Sequence, residues 1–267
     1  MGALHDITRF RLHHLHLPGL TPYLHAADIQ SRLVRTHRDH KDLPKANEPT
    51  PPRGPTLITF QTPPTYTCGR REIGTLTPSQ IAHLRNGGKA EFHEALRGGQ
   101  TTFHGPGQLT AYLILSLNAH NLTPRSHVRL LEDSVIDTCS SFKIESFRTH
   151  NPGVWVAEDR KIASVGVQLK RYISSHGIGL NIFVDLKWFD RIVACGLPEK
   201  RATSFEKEVV DMAVKDEEER ERYIEKVAGV LASKVQHHLP NVLVVERITE
   251  KDVTGLDHIP EQKEGLG

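Results

Sequence analysis

Apolar and polar residues alternate near the start of the chain, over residues 8–17, which is typical of a β-strand with one buried face. Pro18-Gly19 ends this pattern. Thr21-Pro22 then supplies a helix N-cap followed by proline at the first helical position, which predicts a helix to about Val34. Leu57-Ile58-Thr59-Phe60 is short and apolar, and predicts a buried strand.

The middle of the chain continues this mixture of elements. Thr77-Pro78-Ser79-Gln80 has the pattern of a capping box, in which two polar side chains bond the free amides at a helix start. Leu109 to Leu117 predicts a hydrophobic strand, and residues 126–142 carry apolar side chains at helical spacing. Cys139 falls on that apolar stripe and is expected to be a core residue.

Three apolar stretches then follow in quick succession: Val154-Trp155-Val156, Ile162–Leu169 and Ile178–Val184. Glu158-Asp159-Arg160 and Ser174–Gly177 separate them as expected turns. The short separations predict a meander of antiparallel strands.

Residues 215–222 are charged and predict the start of a last long helix, and Asn241–Val245 predicts a last strand. Helices and strands interleave without a regular β-α-β rhythm, so we expect one mixed α/β domain over residues 1–245. Residues 35–55 are rich in charge and proline and predict a flexible insertion. Residues 246–267 are expected to form a polar tail.

The composition narrows the class of protein without fixing its function. The net charge of +2, from 34 basic and 32 acidic residues, does not favour nucleic acid as a partner, although a local basic patch could still dock an acidic protein. Three cysteines without C-x-x-C spacing favour a reducing compartment. We expect no membrane span, no secretion signal and, despite 17 histidines, no metal site.

A glycine-rich segment, Arg97 to Gln108, is the strongest candidate for a ligand site. Its glycines allow backbone amides to approach a ligand closely, and its polar side chains could orient it. A flexible surface turn is the competing interpretation.

Two residues further along could carry chemistry. Cys195 ends a short apolar segment before Gly196, where a thiol can face a cleft, although a lone cysteine is more often a core residue. Lys161 begins an apolar strand, where it could equally be a solvated strand-end residue. An ammonium about 4 Å from the sulfur would favour the thiolate by about 4 kcal/mol at an effective dielectric of about 20. A neutral lysine could instead act as a base.

Gly177-Ile178-Gly179 is the third candidate, because glycine at a strand start often marks close backbone approach by a ligand. A plain hairpin turn is the alternative interpretation. His176 could suggest a Cys-His pair, but its spacing gives that idea no support.

Taken together, these motifs resemble those of the lipoyl(octanoyl) transferases over about residues 8 to 240. The matching segments, in the family's order, are Tyr66–Arg71 (Y-T-x-G-R), Arg97–Leu109 (R-G-G-x-x-T-[YF]-H-G-P-G-Q-[LV]), Lys161–Val167 (K-I-A-x-x-G-V), His176–Asn181 (H-G-x-x-x-N) and Ile192–Leu197 (I-V-x-C-G-L), with Thr203-Ser204 after them. The longer segment 35–55 departs from compact relatives, and Cys68 occupies a variable position.

The resemblance implies a fold like that of biotin and lipoyl protein ligases and of class II aminoacyl-tRNA synthetases. It implies transfer of an octanoyl or lipoyl group from acyl carrier protein to a lysine of a lipoyl domain. Cys195 would carry the acyl-thioester and Lys161 would lower the pKa of its thiol or move its proton. The residues expected to bind the acyl group are Arg97, Gly98, Gly99, Gln100, Thr101, Thr102, Phe103, His104, Ser164, Val165, Gly166, Gly177, Ile178 and Gly179.

No cofactor is expected, because a thioester already stores the energy of activation. The resemblance implies that 2-oxoacid dehydrogenase complexes and the glycine cleavage H protein supply the acceptor domains. It favours the mitochondrion, or the cytoplasm for a bacterial protein. A monomer is the default expectation. The alternatives are an ATP-dependent lipoate–protein ligase, which would not need Cys195, and a non-catalytic protein that binds lipoyl domains.

Overall fold

A computed structural model describes residues 9–42, 53–192, 199–209, 214 and 216–256. Its strands are β1 (Phe10–Leu20), β2 (Thr56–Gln61), β3 (Thr65–Cys68), β4 (Glu91–Glu94), β5 (Thr102–His104), β6 (Gln108–Ile114), β7 (Phe147–Arg148), β8 (Val154–Ala157), β9 (Arg160–Lys170), β10 (Ile173–Asn181), β11 (Arg201–Ala202) and β12 (Val242–Ile248). Its α-helices are α1 (Tyr23–Asp42), α2 (Pro78–Arg85), α3 (Pro124–Ser141), α4 (Phe205–Glu208), α5 (Glu217–His238) and α6 (Glu250–Leu256).

Most strands join one large mixed sheet in the order β12-β1-β2-β6-β10-β9-β8-β7, and β11 pairs with β9. The β12-β1-β2 end of this sheet is parallel. From β2 to β7 the pairing is antiparallel, which confirms the predicted meander of β8, β9 and β10. A small second sheet has the order β4-β3-β5. The mixed α/β fold predicted from the sequence is therefore confirmed.

Helices cover both faces of the large sheet. Apolar side chains of α3 and α5 bury one face, together with Phe10 and Leu12 of β1. Side chains of α1 bury the other face with Leu15 and Leu17 of the same strand. Cys139 is fully buried in the first of these clusters, as its position on the apolar stripe predicts. The predicted capping box at Thr77 is also present at the start of α2.

Two boundaries differ from the sequence prediction. Helix α1 continues past Val34 to Asp42, since Thr36 and His37 are buried and keep this polar segment packed. The expected insertion therefore begins inside a helix, and its residues 43–52 lie outside the described residues. The turn before β10 is at Arg171-Tyr172, both at positive φ, rather than at Ser174–Gly177, which lies within the strand.

The end of the chain also differs from the expected polar tail. Strand β12 continues to Ile248 and helix α6 follows it. Val253 of α6 is buried in the core under α1, which explains how a mostly polar helix is held. The structure does not describe residues 257–267.

Buried histidines make the stability of this fold depend on pH. Burial lowers the pKa to about 4 for His14, His127 and His176 and to about 3 for His37 and His104. In the unfolded chain each ring titrates near pH 6.5. Below that pH the unfolded chain binds more protons than the folded one, so the free energy of unfolding falls as pH falls.

We therefore expect the midpoint temperature of thermal unfolding to fall steeply as the pH is lowered from about 7.5 to about 5.5. Below its unfolded pKa, each ring lowers the free energy of unfolding by up to about 1.4 kcal/mol per pH unit. His127 is the best position for a test, because its buried ring nitrogens make no hydrogen bond in the described part of the chain. His127→Leu should make the pH dependence shallower. A midpoint that stays constant or rises on acidification would contradict this interpretation.

Candidate active site

Arg97 shapes the glycine-rich loop from inside. Its Nη1 donates hydrogen bonds to the carbonyl oxygens of Gly98 and Gln100, each at 3.0 Å. Its Nη2 donates to the carbonyl and the hydroxyl oxygen of Thr67 on β3, both at 2.7 Å. Burial lowers the pKa of this guanidinium. The loop backbone is thus wrapped around a buried side chain, which contradicts the flexible surface turn.

The loop also contacts strand β9 directly. The amide of Gly98 donates to the carbonyl oxygen of Val167 at 2.9 Å. A Cβ atom at Gly166 would lie 2.8 Å from the Gly98 carbonyl oxygen and 3.1 Å from Cδ of Arg97. Only glycine at position 166 lets the loop and β9 approach so closely.

The far end of the loop is anchored to the opposite part of the sheet. The Gly107 amide donates to Oε1 of Gln61 at 2.7 Å, and Nε2 of Gln61 donates to Glu221 of α5 at 2.6 Å. The Gly107 carbonyl accepts from the amides of Ile182 and Phe183. Both ends of the loop are therefore fixed by buried hydrogen bonds.

His104 is the start of a chain of buried polar side chains. Its Nδ1 lies 2.8 Å from Oε1 of Gln108 and 3.3 Å from the hydroxyl of Thr110. Nε2 of Gln108 donates to Oδ1 of Asn181 at 3.0 Å, and Nδ2 of Asn181 donates to the carbonyl of Thr203 at 2.9 Å. Strands β5, β6 and β10 are thereby linked through side chains to the backbone of Thr203, just after β11.

Lys161 is buried rather than solvated, with 5% of its surface exposed. Its Nζ donates to the carbonyl oxygen of Pro152 at 2.8 Å and lies 4.4 Å from the centre of the Trp155 ring. The residue after β11 holds the backbone in place, since the Thr203 amide donates to the Lys161 carbonyl at 2.8 Å. The solvated strand-end interpretation of Lys161 is wrong.

These segments enclose one cavity of about 460 Å³, a size typical of small-molecule sites. Lys161 lines it, and so does every residue expected to bind the acyl group except Phe103. Phe103 instead stacks on Trp188, with ring centres 5.2 Å apart, and supports the loop from behind. Sequence segments that are far apart in the chain thus meet at a single site.

Several lining residues were not identified from the sequence. Tyr112 lies inside the apolar run of β6, and Val128 lies on the expected helix α3, so neither differs from an ordinary core residue in the pattern. His176 also lines the cavity and has φ of 60°, a strained conformation for a residue with a side chain. Its amide donates to Oε1 of Gln30 at 2.6 Å, which holds it there.

Cys195 lies outside the described residues, in the segment 193–198. The structure describes the residues on either side of that segment. Ile192 lines the cavity before it, and Arg201 and Ala202 line the cavity after it. Described residues on both sides of the segment that carries the thiol therefore line the same cavity.

The cavity combines permanent positive charge with neutral histidines. Burial and the nearby Arg97 both lower the pKa values of His104 and His176, to about 3 and about 4. Burial raises the pKa of the Tyr112 phenol well above its ordinary value. At neutral pH these three side chains are uncharged hydrogen-bonding groups.

No three histidine, cysteine, aspartate or glutamate side chains come together as a metal site in the described part of the chain. None of the described helices is both long and apolar enough to cross a membrane.

Comparison with known proteins decides which family the chain belongs to. Residues 22–227 match the model of the lipoyl protein ligase A/B catalytic domain. The chain belongs to this family. The match includes the glycine-rich loop, Lys161 and Cys195, and it confirms the resemblance found in the sequence.

Relatives and solved structures agree with this assignment. The chain is 47% identical to a probable octanoyltransferase of Schizosaccharomyces pombe over 187 residues, which cover 70% of this chain and 81% of the relative. It is 39% identical to the human mitochondrial octanoyl-[acyl-carrier-protein]:protein N-octanoyltransferase over 196 residues, covering 72% and 81%.

Among solved structures, a lipoate-protein ligase A bound with ATP superposes with a TM-score of 0.59 at 13% identity, covering 94% of this chain and 93% of that one. A bipartite lipoate protein ligase from Thermoplasma acidophilum, studied with its E2 lipoyl domain, gives a TM-score of 0.57 at 14% identity, covering 94% and 91%. These structures confirm the predicted ligase-like fold.

Substitution of Gly166 tests whether the contact between the loop and β9 maintains the cavity. In Gly166→Ala the new methyl group meets the Gly98 carbonyl oxygen and the Arg97 side chain, so we expect a loss of about 1–3 kcal/mol in the free energy of unfolding. Amide hydrogen exchange at residues 97–100 should become faster, because the bond from Gly98 to Val167 is broken.

Gly229→Ala is the matched control, since Gly229 lies in helix α5 with nothing within 4 Å of the added methyl. It should stabilise the protein by about 0.5–1 kcal/mol and leave exchange in the loop unchanged. Unchanged loop protection in Gly166→Ala would show that the contact does not hold the loop.

Proposed function

We propose that this protein transfers an octanoyl group from acyl carrier protein to a lysine side chain of a lipoyl domain, through a thioester on Cys195. The observation that carries this proposal is the single cavity, which brings buried Lys161 together with the glycine-rich loop and both edges of the Cys195 segment. The octanoyltransferase names of the relatives support the same reaction.

The lining favours a medium-length acyl chain. Val165, Val167 and Ile178 supply an apolar wall, and Val128 adds an apolar side chain from α3. Burial of about six methylene groups beyond an acetyl group contributes about 5 kcal/mol, at about 0.8 kcal/mol for each. This difference is large enough to select octanoyl over acetyl.

The reaction proceeds in two balanced steps. Cys195 gives up its thiol proton, and its thiolate attacks the carbonyl carbon of the donor thioester. A new carbon–sulfur bond forms as the donor carbon–sulfur bond breaks, and the proton passes to the leaving donor sulfur. The amine of the acceptor lysine then attacks the enzyme thioester, the carbon–nitrogen bond forms and the carbon–sulfur bond breaks. The proton lost by the amine passes to the Cys195 sulfur. No nucleotide is consumed, because the donor thioester already stores the energy of activation.

Lys161 is the group that activates the thiol in this proposal. A free thiol is mostly protonated at neutral pH, and a nearby ammonium group favours the thiolate. Trp155 and the Pro152 carbonyl hold Nζ of Lys161 at the edge of the cavity, where its charge is poorly screened by solvent.

The proposed partners follow from the reaction. The donor is octanoyl-acyl carrier protein, and the acceptors are the lipoyl domains of 2-oxoacid dehydrogenase complexes and the glycine cleavage H protein. We place the protein in the mitochondrion, supported by relatives from animals, plants and yeast that are named mitochondrial. We propose that it acts as a monomer.

An ATP-dependent ligase reaction is the second candidate, because a lipoate-protein ligase that shares the fold binds ATP. It predicts that transfer starts from free acid and ATP and does not need Cys195. The thioester route predicts transfer from octanoyl carrier protein without ATP. A protein that only binds lipoyl domains would show neither reaction.

The enzyme thioester is directly measurable. After incubation with octanoyl carrier protein and no acceptor, intact-mass spectrometry should show one octanoyl adduct, and peptide mapping should place it on Cys195. Cys195→Ala should form no adduct and no product. Cys139→Ala is the matched control and should still form the adduct, because Cys139 is a core residue whose burial raises the pKa of its thiol to about 12. An adduct on Cys68 or Cys139 would overturn the assignment.

Lys161→Met tests thiol activation with a side chain of similar length and no charge. We expect the pH profile of Cys195 alkylation to move upward, towards the ordinary thiol pKa of about 8.5. Acyl-enzyme formation at neutral pH should slow by at least about tenfold. Coincident alkylation profiles for the two proteins would contradict this role, since a purely structural effect does not move the inflection.

A further inference from the structure

Asn181 is held in one orientation by a backbone group. Its Nδ2 donates to the carbonyl oxygen of Thr203 at 2.9 Å, and a carbonyl can only accept. The other side-chain atom, Oδ1, must therefore be the one that faces Nε2 of Gln108 at 3.0 Å. Asn181 is 4% exposed, so water does not compete for these positions.

Gln108 is fixed in the same way. Its Nε2 donates to the carbonyl oxygen of Phe103 at 3.0 Å as well as to Asn181. A rotated amide would place Oε1 against two acceptor oxygens. Gly179 makes room for this side chain, because a Cβ there would lie 2.9 Å from Oε1 of Gln108. Oε1 of Gln108 therefore points at His104.

The tautomer of His104 follows from these two orientations. Oε1 of Gln108 is an acceptor, so Nδ1 of His104, 2.8 Å away, must carry the proton. Burial and Arg97 keep the ring neutral, with a pKa of about 3. A neutral imidazole protonated at Nδ1 has a lone pair at Nε2. The ring lines the cavity, and Nε2 is the ring nitrogen that does not contact Gln108. A ligand in the cavity can therefore use Nε2.

We propose that His104 accepts a hydrogen bond at Nε2 from the attacking amine of the acceptor lysine, and that Gln108 and Asn181 are positioning residues that hold the required tautomer. The inference rests on the function proposed above. The acyl-thioester has no N–H or O–H group to donate, and an oxyanion would be repelled by the lone pair. The amine is the reactant that brings donors to the cavity.

This contact favours the transition state over the ground state. As the carbon–nitrogen bond forms, the nitrogen becomes positively charged and its N–H groups become stronger donors. Fixing one N–H on His104 also directs the nitrogen lone pair at the carbonyl carbon. His104 is too weak a base to keep the proton, which passes to the Cys195 sulfur as in the balanced step above.

The resting enzyme tests the tautomer without any substrate. Histidine labelled with nitrogen-15 should give a protonated Nδ1 and an unprotonated Nε2 for His104, identified as the signal lost in His104→Gln. Gln108→Met, of similar shape, should release the lock and give a mixture of tautomers. A proton on Nε2 in the wild-type enzyme would overturn the inference.

Single-turnover kinetics test the contact with the amine. His104→Asn keeps a donor for Gln108 but removes the Nε2 acceptor, whereas His104→Gln restores an acceptor near the Nε2 position. We expect His104→Asn to slow transfer from the enzyme thioester to the lipoyl domain about 10- to 100-fold, with little change in thioester formation. His104→Gln should recover most of the rate.

The outcomes separate the two proposals. Equal slowing of both steps in His104→Asn, or no slowing, would overturn the role of His104 while the Cys195 thioester stands. Failure to form any thioester in the wild-type enzyme would overturn the proposed function, and the nitrogen signals would then report the tautomer alone.

Discussion

The buried guanidinium of Arg97 is the interaction on which the cavity depends. Within the described residues, carbonyl and hydroxyl oxygens accept its hydrogen bonds, those of Gly98, Gln100 and Thr67. A buried charge is costly unless it is hydrogen-bonded, and Nη1 and Nη2 make these bonds while the buried Nε has no partner in the described part of the chain. The loop backbone must therefore curl around the cation, and this curl gives the cavity wall its shape. Gly166 then allows the shaped loop to dock on β9.

The same charge sets the chemistry of the cavity. Burial, aided by the charge of Arg97, lowers the pKa values of His104 and His176, so at neutral pH the rings act as hydrogen-bonding groups and not as proton carriers. In the proposed reaction Lys161, held by Trp155 and the Pro152 carbonyl, supplies a second cation to the same cavity. A cavity with fixed cations and neutral polar groups suits a reaction in which a thiolate forms and is then consumed.

The sequence predicted helices, strands and buried positions well where the signal lies in neighbouring residues. The capping box at Thr77 and the buried position of Cys139 needed only neighbouring residues. The resemblance to the transferase family named residues that line the cavity, with Phe103 as the exception, but it did not name Tyr112 or Val128. Phe103 could not be assigned because the direction of a side chain in a three-residue strand depends on the packing of Trp188, far along the chain.

Long-range contacts explain what the sequence did not show. Val253 turns a polar terminal segment into a helix only because α1 offers a core for it. The reach of α1 to Asp42 depends on buried Thr36 and His37, whose polarity favoured a loop. The tautomer of His104 depends on the carbonyl groups of Phe103, in β5, and Thr203, just after β11, which lie 100 positions apart in the sequence. No periodicity or motif spacing encodes such partners.

The central claim is that acyl transfer runs through a thioester built in this cavity. The most direct measurement is a chase of the isolated S-octanoyl enzyme, freed of carrier and nucleotide, with a lipoyl domain. We predict that the octanoyl group moves to the acceptor lysine in one turnover as the free Cys195 thiol returns. An enzyme thioester that stays intact, or that transfers only when ATP is added, would contradict the account.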